Sequence, residues 1–284
     1  MRTKSTEELS PIQNILCGFA GVVIPRTMFA PLESIKIIAI NNDGKPLFSA
    51  LKKKIVTEGI PSLWNGFLCD WIRIPPQFVV RYILANSMKK INPNGPKWLI
   101  DQASALASVT MFHPLDVIHT LMTYDIRKYP SISKTMATIL KEDGISGLYR
   151  GLVPTILGYI PYHSTQYFST FLFNRLQQFT PRNASYSFSN DALLSIAVVT
   201  LAQGITYPFE VVRKRMMTDE KFRKKSFVDV FKHIYKTRGL RGFYDSFGIS
   251  MCRVIPVIWI QQAATREFRA LSARFNYQMK YHKF

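Results

Sequence analysis

Six apolar stretches divide the chain, and polar loops separate them. The stretches lie at about 11–40, 67–89, 97–122, 152–175, 190–217 and 247–272. Residues 152–173 contain no Asp, Glu, Lys or Arg, and a helix of these 22 residues would cross the roughly 30 Å hydrocarbon layer of a bilayer. The pattern predicts an all-α membrane protein with six transmembrane helices. A soluble helical repeat is the alternative, but it does not explain segments of membrane-spanning length.

The same residue types recur three times along the chain. Pro31, Pro114 and Pro208 are spaced by 83 and 94 residues. A glycine, an aromatic residue and a second proline repeat at spacings of 85 and 95: Gly59, Gly144 and Gly239; Trp64, Tyr149 and Tyr244; Pro76, Pro161 and Pro256. Such a register predicts one domain over 1–284, built from three repeats at about 10–93, 94–180 and 186–275. In each repeat a short helix joins two long ones.

Charge adds a prediction of topology. The chain has 37 Lys and Arg against 18 Asp and Glu, a net charge of +19. Loops 41–65, 123–150 and 214–245 carry 19 of these bases, so all three loops should face one side of the membrane, with both termini on the other. The excess also predicts an anionic partner. Because the densest run, 221–225, lies in such a loop, we do not expect nucleic-acid binding.

No pattern indicates an enzyme or a bound cofactor. The sequence has no Gly-rich phosphate loop before a helix, no H-E-x-x-H and no G-x-S-x-G. Cys17, Cys69 and Cys252 have no metal-ligand spacing, and we interpret them as reduced packing residues. We therefore expect neither a metal nor a cofactor.

A Pro-x-acid-x-x-base motif begins at each of Pro31, Pro114 and Pro208. An acid and a base three residues apart lie on one helix face, and a proline kinks or breaks the helix there. We expect each acid to pair with the base of a neighbouring helix in a ring that closes one end of the bundle. The ring residues are Pro31, Glu33, Lys36, Pro114, Asp116, His119, Pro208, Glu210 and Arg213. Since neutral histidine pairs weakly, His119 predicts a weaker gate than three full ion pairs would form.

The threefold motif resembles that of the mitochondrial carrier family, whose second, fourth and sixth membrane helices usually carry aromatic-acid-x-x-base. The resemblance implies a second gate at the opposite end of the bundle. Its positions on the even-numbered helices, in the repeat register, are Asn86, Lys89, Phe171, Asn174, Arg266 and Arg269. None is acidic, and bases of like charge repel, so this gate should close poorly. Either the resting protein is open on this side, with a basic funnel that attracts anions, or the transport cycle is impaired. Glu267 would supply an acid only in a shifted register.

Arginines within the apolar stretches are candidate ligands, because a charge inside a membrane is costly and usually functional. Arg73, Gly158 and Arg253 are equivalent in the three repeats, and Arg26 lies five residues before Pro31. Together with Arg81, they predict a site for a compound with several phosphate charges. The alternative is structural pairing, for example of Arg73 with Asp70.

An aromatic surface is predicted beside these arginines. Gly158 would leave room for a flat group. Tyr159 or Tyr162 would stack on a base.

The triple motif, each followed by an acid-Gly block that ends in aromatic-x-Gly, resembles the mitochondrial carrier family over about residues 10–272. The resemblance implies a six-helix bundle with pseudo-threefold symmetry, working by alternating access in the mitochondrial inner membrane. It places the long loops in the matrix and the termini in the intermembrane space. The match is imperfect, since His119 replaces a base, Arg238 an acid and Ser246 a glycine. We expect a monomer.

Three shorter stretches resemble one branch of that family. "RTMFAPLESIKI", "GYIPY" and "RKRMMT" are similar to segments of adenine nucleotide, ATP-Mg/phosphate and coenzyme A carriers, with Tyr159, Lys214 and Thr218 departing. The resemblance implies exchange of adenine nucleotides such as ADP and ATP. The alternatives are a coenzyme A or ATP-Mg/phosphate carrier, or a degenerate, non-transporting scaffold subunit.

A lipid site is a further implication of the resemblance. The family's aromatic-x-Gly region and the adjoining helix N-termini hold cardiolipin phosphates. The corresponding residues here are Trp64, Gly66, Tyr149, Arg150 and Gly151. Asp245 in the third block should make that site the weakest.

Overall fold

The computed structural model of the protein describes residues 11–42, 46–177 and 187–281, and these ranges are helical with no strand. The α helices are α1 (Pro11–Met28), α2 (Ala30–Asn41), α3 (Leu47–Glu58), α4 (Phe67–Ile91), α5 (Lys97–Tyr124), α6 (Ile132–Asp143), α7 (Leu152–Gln177), α8 (Ser187–Thr218), α9 (Phe227–Arg238), α10 (Arg241–Tyr244) and α11 (Phe247–Tyr281). Short 3₁₀ segments follow α3, α6 and α8.

The long helices alternate with short ones three times. In each repeat, one short helix (α3, α6 or α9) lies between the two long membrane segments. We call the end of the bundle that carries them the short-helix end. There α2, α5 and α8 contact one another, so the three repeats meet at this end.

The three prolines do not have the same effect. In the first repeat the helix is interrupted at Phe29, and Pro31 occupies the first turn of α2, where a missing backbone N–H leaves no hydrogen bond unmade. Pro114 and Pro208 lie inside the continuous helices α5 and α8. The expected helix break therefore occurs in the first repeat, whereas α5 and α8 continue past their prolines.

Local signals fix where the short helices begin and end. The Ser131 hydroxyl accepts a hydrogen bond from the Lys134 backbone N–H at the start of α6, and Ser226 forms a capping box with Asp229 at the start of α9. Helices α3, α6 and α9 all end at a glycine with positive φ: Gly59 (80°), Gly144 (68°) and Gly239 (60°). Only glycine adopts this left-handed backbone without strain, which accounts for the glycine repeat.

In the first two repeats, a second glycine directly precedes the second long helix, which is α4 or α7. Gly66 and Gly151 have φ of 87° and 73°. A Cβ on Gly66 would lie 2.5 Å from Thr123 Oγ1, so the start of α4 packs directly on α5. In the third repeat Ser246 takes this position, and its hydroxyl is 2.9 Å from the Tyr207 hydroxyl. A side-chain hydrogen bond there replaces the close backbone approach.

Buried apolar side chains concentrate at the short-helix end. One cluster packs α5 against α6 and Cys69 of α4, and a second packs α8 against α9 and Ile40 of α2. Elsewhere the long helices expose large apolar side chains, among them Ile72, Ile83, Met111, Ile160 and Ile205. Exposed apolar surface of this extent fits contact with lipid. By length and composition, one stretch of the described residues, Arg241–Gln261, is apolar enough to cross a membrane, with mean hydropathy 1.3.

Candidate substrate site and gate

A cavity of about 1130 Å³ lies between the long helices, beyond the layer where α2, α5 and α8 meet. Cationic side chains outnumber carboxylates in its lining. Six cationic side chains face it: Arg26, Arg73, Arg81, Arg213, Lys214 and Arg253. Four carboxylates face it: Glu33, Asp70, Asp116 and Glu210. The excess of guanidinium and ammonium groups gives the cavity a positive field, which suits an anion.

Two of the three expected inter-repeat ion pairs are present at the short-helix end. Lys36 of α2 donates to the Glu210 carboxylate of α8, and Arg213 of α8 donates to the Asp116 carboxylate of α5. The Lys36 side chain is fully buried. Buried pairs of this kind hold well while both partners are present and are costly to break. They join all three repeats at this end of the cavity.

The third pair differs from the expectation. Glu33 Oε2 lies 3.0 Å from Arg253 Nη2, and Glu33 Oε1 lies 3.6 Å from Lys214 Nζ. His119 instead faces Asp70, with 3.9 Å between Nε2 and Oδ2. Imidazole is shorter than the side chains of arginine and lysine, and it carries charge only when protonated. Two permanent cations therefore take the carboxylate that the motif register assigned to His119.

Lys214 and Asp70 are site residues that the sequence analysis did not assign. Lys214 is buried, and its ammonium also donates to Thr120 Oγ1 over 3.0 Å. A lysine directly after the third motif was the available signal. Asp70 was considered only as a structural partner of Arg73.

The predicted ligand arginines converge on the cavity, and three of them, Arg26, Arg73 and Arg253, contact a carboxylate. Arg73 Nη2 donates to Asp70 Oδ1 over 2.7 Å, and Arg73 Nη1 is 3.4 Å from Asp116 Oδ1. Arg26 Nη1 is 3.8 Å from Asp70 Oδ2. The buried Nε atoms of Arg73 and Arg253 have no hydrogen-bond partner among the described residues.

Aromatic rings line the cavity along α7. The Tyr159 and Tyr162 rings both contact the His163 ring, at centroid distances of 4.0 and 5.1 Å. His163 lines the cavity as well and was not predicted. A Cβ on Gly158 would come within 3.0 Å of the Phe209 Cβ, so this glycine also permits close packing of α7 on α8. Arg81 lines the cavity from α4.

At the other end of the cavity, the described side chains form little of a gate. Lys89 Nζ lies 3.9 Å from Asp101 Oδ1 of α5, an acid outside the expected register. Asn86 is half-buried and Phe171 is exposed. The side chains of Asn174, Arg266 and Arg269 lie outside the described residues.

The predicted lipid-binding residues fall into two groups. Trp64 and Tyr149 are more than a third exposed, and the glycines Gly66 and Gly151 precede the first turns of α4 and α7. Arg150, in contrast, is buried and paired with Asp143. Its guanidinium is therefore held inside the protein, and the role of Arg150 in lipid binding stays a prediction.

A threefold helical bundle with an outer apolar surface, a charged central cavity and a closed end is the architecture of a membrane transport protein. The sequence model of one family, described as "Mitochondrial carrier protein", matches residues 7–96, 92–180 and 184–275. The chain belongs to the mitochondrial carrier family. The all-α, six-helix membrane fold with three repeats is thereby confirmed, and members of the family are transporters rather than enzymes. The membership indicates a multi-pass protein of the mitochondrial inner membrane.

Several named relatives match almost the whole chain. Mitochondrial substrate carrier family protein P of Dictyostelium discoideum is 28% identical, over 91% of this chain and 92% of its own. Adenine nucleotide transporter BT1, chloroplastic/mitochondrial, of Arabidopsis thaliana is 27% identical over 88% of this chain and 67% of its own. Mitochondrial coenzyme A transporter SLC25A42 of Homo sapiens is 27% identical over 84% and 81%.

Proposed function

We propose that the protein exchanges adenine nucleotides such as ADP and ATP across the mitochondrial inner membrane by alternating access. The observation that carries the proposal is the convergence of Arg26, Arg73 and Arg253, from three different helices, on one cavity. Guanidinium groups bind phosphate oxygens in a bidentate manner. Several of them around one cavity suit a ligand with more than one phosphate charge.

The aromatic wall supports a ligand that also carries a base. Tyr159, Tyr162 and His163 present ring surfaces on the α7 side of the cavity, and such rings stack on nucleobases. Similarity to a plant adenine nucleotide transporter agrees with this choice. Coenzyme A, which contains an adenosine phosphate, is the second candidate. The cavity of about 1130 Å³ exceeds the usual range for small-molecule sites, and a human coenzyme A transporter is among the relatives.

The positive loops orient the proposed transporter. Their charge supports an orientation with the short-helix end in the matrix and the termini in the intermembrane space. The ion pairs of Lys36 and Arg213 then form the matrix gate, and the cavity receives substrate from the cytosolic side. We further propose a monomer that binds cardiolipin phosphates at the backbone N–H groups of the first turns of α4 and α7. The exposed Trp64 and Tyr149 would border these sites.

Exchange in liposomes tests the proposal. Purified protein reconstituted in vesicles preloaded with ADP should take up labelled ATP. Arg73→Ala and Arg253→Ala should each lower the rate by roughly 30-fold or more, since losing one partner of a buried charged contact costs about 2–5 kcal/mol. Arg241→Ala removes an exposed arginine outside the cavity and should leave the rate unchanged. If none of ADP, ATP, AMP, phosphate or coenzyme A is exchanged, the proposal fails and a non-transporting scaffold is favoured.

A further inference from the structure

Asp70 breaks the symmetry of the bundle at the depth of the ligand arginines. Its equivalents, at the spacings of 85 and 95 residues, are Thr155 and Ser250. The Thr155 hydroxyl donates to the Gly151 carbonyl over 2.6 Å, and the Ser250 hydroxyl accepts from Gln203 over 2.7 Å. Both equivalents are neutral and have local partners. A carboxylate is therefore not required by helix packing at this position.

The contacts of Asp70 are with the proposed substrate-binding groups. Its Oδ1 accepts from Arg73 Nη2 over 2.7 Å, and its Oδ2 lies 3.8 Å from Arg26 Nη1 and 3.9 Å from His119 Nε2. The Asp70 side chain is 16% exposed and lines the cavity. One carboxylate thus occupies, from within the protein, the place between two arginines where a phosphate group would bind.

We propose that Asp70 is a built-in competitor for the anion site and that it sets the minimum charge of the substrate. The inference rests on the proposed function, because it takes Arg26 and Arg73 as the residues that bind phosphate. An anion that reaches them has to displace the Asp70 carboxylate. Asp70 is attached to the same helix as Arg73, so its effective concentration at the site is high.

Displacement favours ligands with several phosphate groups. A small anion such as phosphate replaces one carboxylate by one group of similar charge and gains little. A polyphosphate brings further charges that reach Arg253 and Lys214 as well, so it gains contacts that Asp70 does not make. Displacing Asp70 costs each ligand about the same free energy, so an anion with few contacts is left with little net affinity, whereas a polyphosphate still binds.

This role is tested by the binding of phosphate anions of increasing charge to the protein in detergent. The probes are phosphate, pyrophosphate and tripolyphosphate, with dissociation constants measured by calorimetry. In Asp70→Asn we expect the constants for phosphate and tripolyphosphate to fall by a similar factor of about tenfold, because both ligands displace the same carboxylate; this lies within the usual range of coupling between competing interactions. Asp70→Ser, which copies the third repeat, should behave like Asp70→Asn. Asp70→Glu keeps a carboxylate on this helix position and should bind each probe about as weakly as the unmodified protein.

The order of the effects separates competition from simple repulsion. A carboxylate that only repels anions would, when removed, improve tripolyphosphate binding more than phosphate binding, and that result would overturn the inference. Dissociation constants that are unchanged in both Asp70→Asn and Asp70→Ser would also overturn the inference. Asp219→Asn is the control, because it removes one negative charge outside the cavity and asparagine retains the cap on Lys221 N–H.

The outcome is separable from that of the proposed function. If the dissociation constants of the probes depend on Asp70 but ADP and ATP are not exchanged, the adenine nucleotide proposal fails and the role of Asp70 stands. If exchange occurs and the dissociation constants do not depend on Asp70, the adenine nucleotide proposal stands and the proposed role of Asp70 fails. Binding of no probe by the unmodified protein would overturn the role of Asp70, and the exchange assay would still decide the proposed function.

Discussion

Arg26, Arg73 and Arg253 in the cavity are already paired with carboxylates, so an anion that binds them has to exchange partners with the protein. Arg73 contacts both Asp70 and Asp116, and Asp116 in turn holds Arg213 of the gate. Arg253 is paired with Glu33 of the first Pro-x-acid motif. At the residue scale, the proposed substrate site and the closed gate therefore share the same carboxylates. A substrate that takes Arg73 and Arg253 withdraws partners from the acids of the gate.

The first prediction concerns His119. His119→Arg puts a permanent cation beside Asp70, which lies 3.9 Å from the imidazole, and should hold the short-helix end closed more tightly. We expect ADP/ATP exchange to slow by about tenfold, in the range of typical coupling energies. His119→Gln keeps the side chain neutral and polar, and should exchange at nearly the rate of the unmodified protein. Equal initial rates for the two variants in liposomes would contradict the prediction.

Helix ends in one repeat are held by cations of another. Lys54 of α3 donates to the Thr123 and Tyr124 carbonyls at the end of α5, over 2.6 and 3.1 Å. Arg215 of α8 donates to the Ile40 carbonyl near the end of α2, over 3.1 Å. The last carbonyls of a helix lack intrahelical donors and carry partial negative charge. Burial lowers the pKa of Lys54, and the adjacent Glu58 opposes this shift. At the scale of elements, these contacts lock the short-helix end.

The second prediction tests this locking. Lys54→Met keeps the apolar stem and removes the ammonium, which leaves two carbonyls and Glu58 without their partner. The unfolding temperature in detergent should fall, for a cost of about 1–3 kcal/mol. Lys53→Met changes an exposed neighbour and should leave that temperature nearly unchanged. Similar unfolding temperatures for both variants would show that Lys54 does not stabilise the end of α5.

Over the whole molecule, the gate connects the three repeats through α2, α5 and α8. The pair of Lys36 with Glu210 joins the first repeat to the third, and that of Arg213 with Asp116 joins the third to the second. Both apolar clusters lie at the same end. Opening this end therefore requires buried ion pairs to separate, whereas the described side chains at the other end hold one wide pair, Lys89 with Asp101.

A charge swap across the gate provides the third prediction. Lys36→Glu or Glu210→Lys alone places like charges together in a buried site, at a cost of about 3–5 kcal/mol, and exchange should fall by roughly 100-fold. The double variant restores opposite charges and should recover a substantial part of the rate. The measurement is initial ADP/ATP exchange, with the pairwise term taken from the double-mutant cycle. A double variant as slow as the product of the two single effects would show that the residues do not act as a pair.

The sequence by itself determined the number of repeats, the helical class, the six membrane segments and the types of residue in the gate and around the cavity. These properties follow from periodic local features: apolar length, proline and glycine spacing, and acid–base spacing on one helix face. Only the tertiary structure decided which charges meet. Glu33 pairs with Arg253 and Lys214 rather than with His119, and Arg150 turns inward to Asp143. Such pairings depend on distances between helices and on side-chain length and charge, and residue spacing along the chain does not encode those distances.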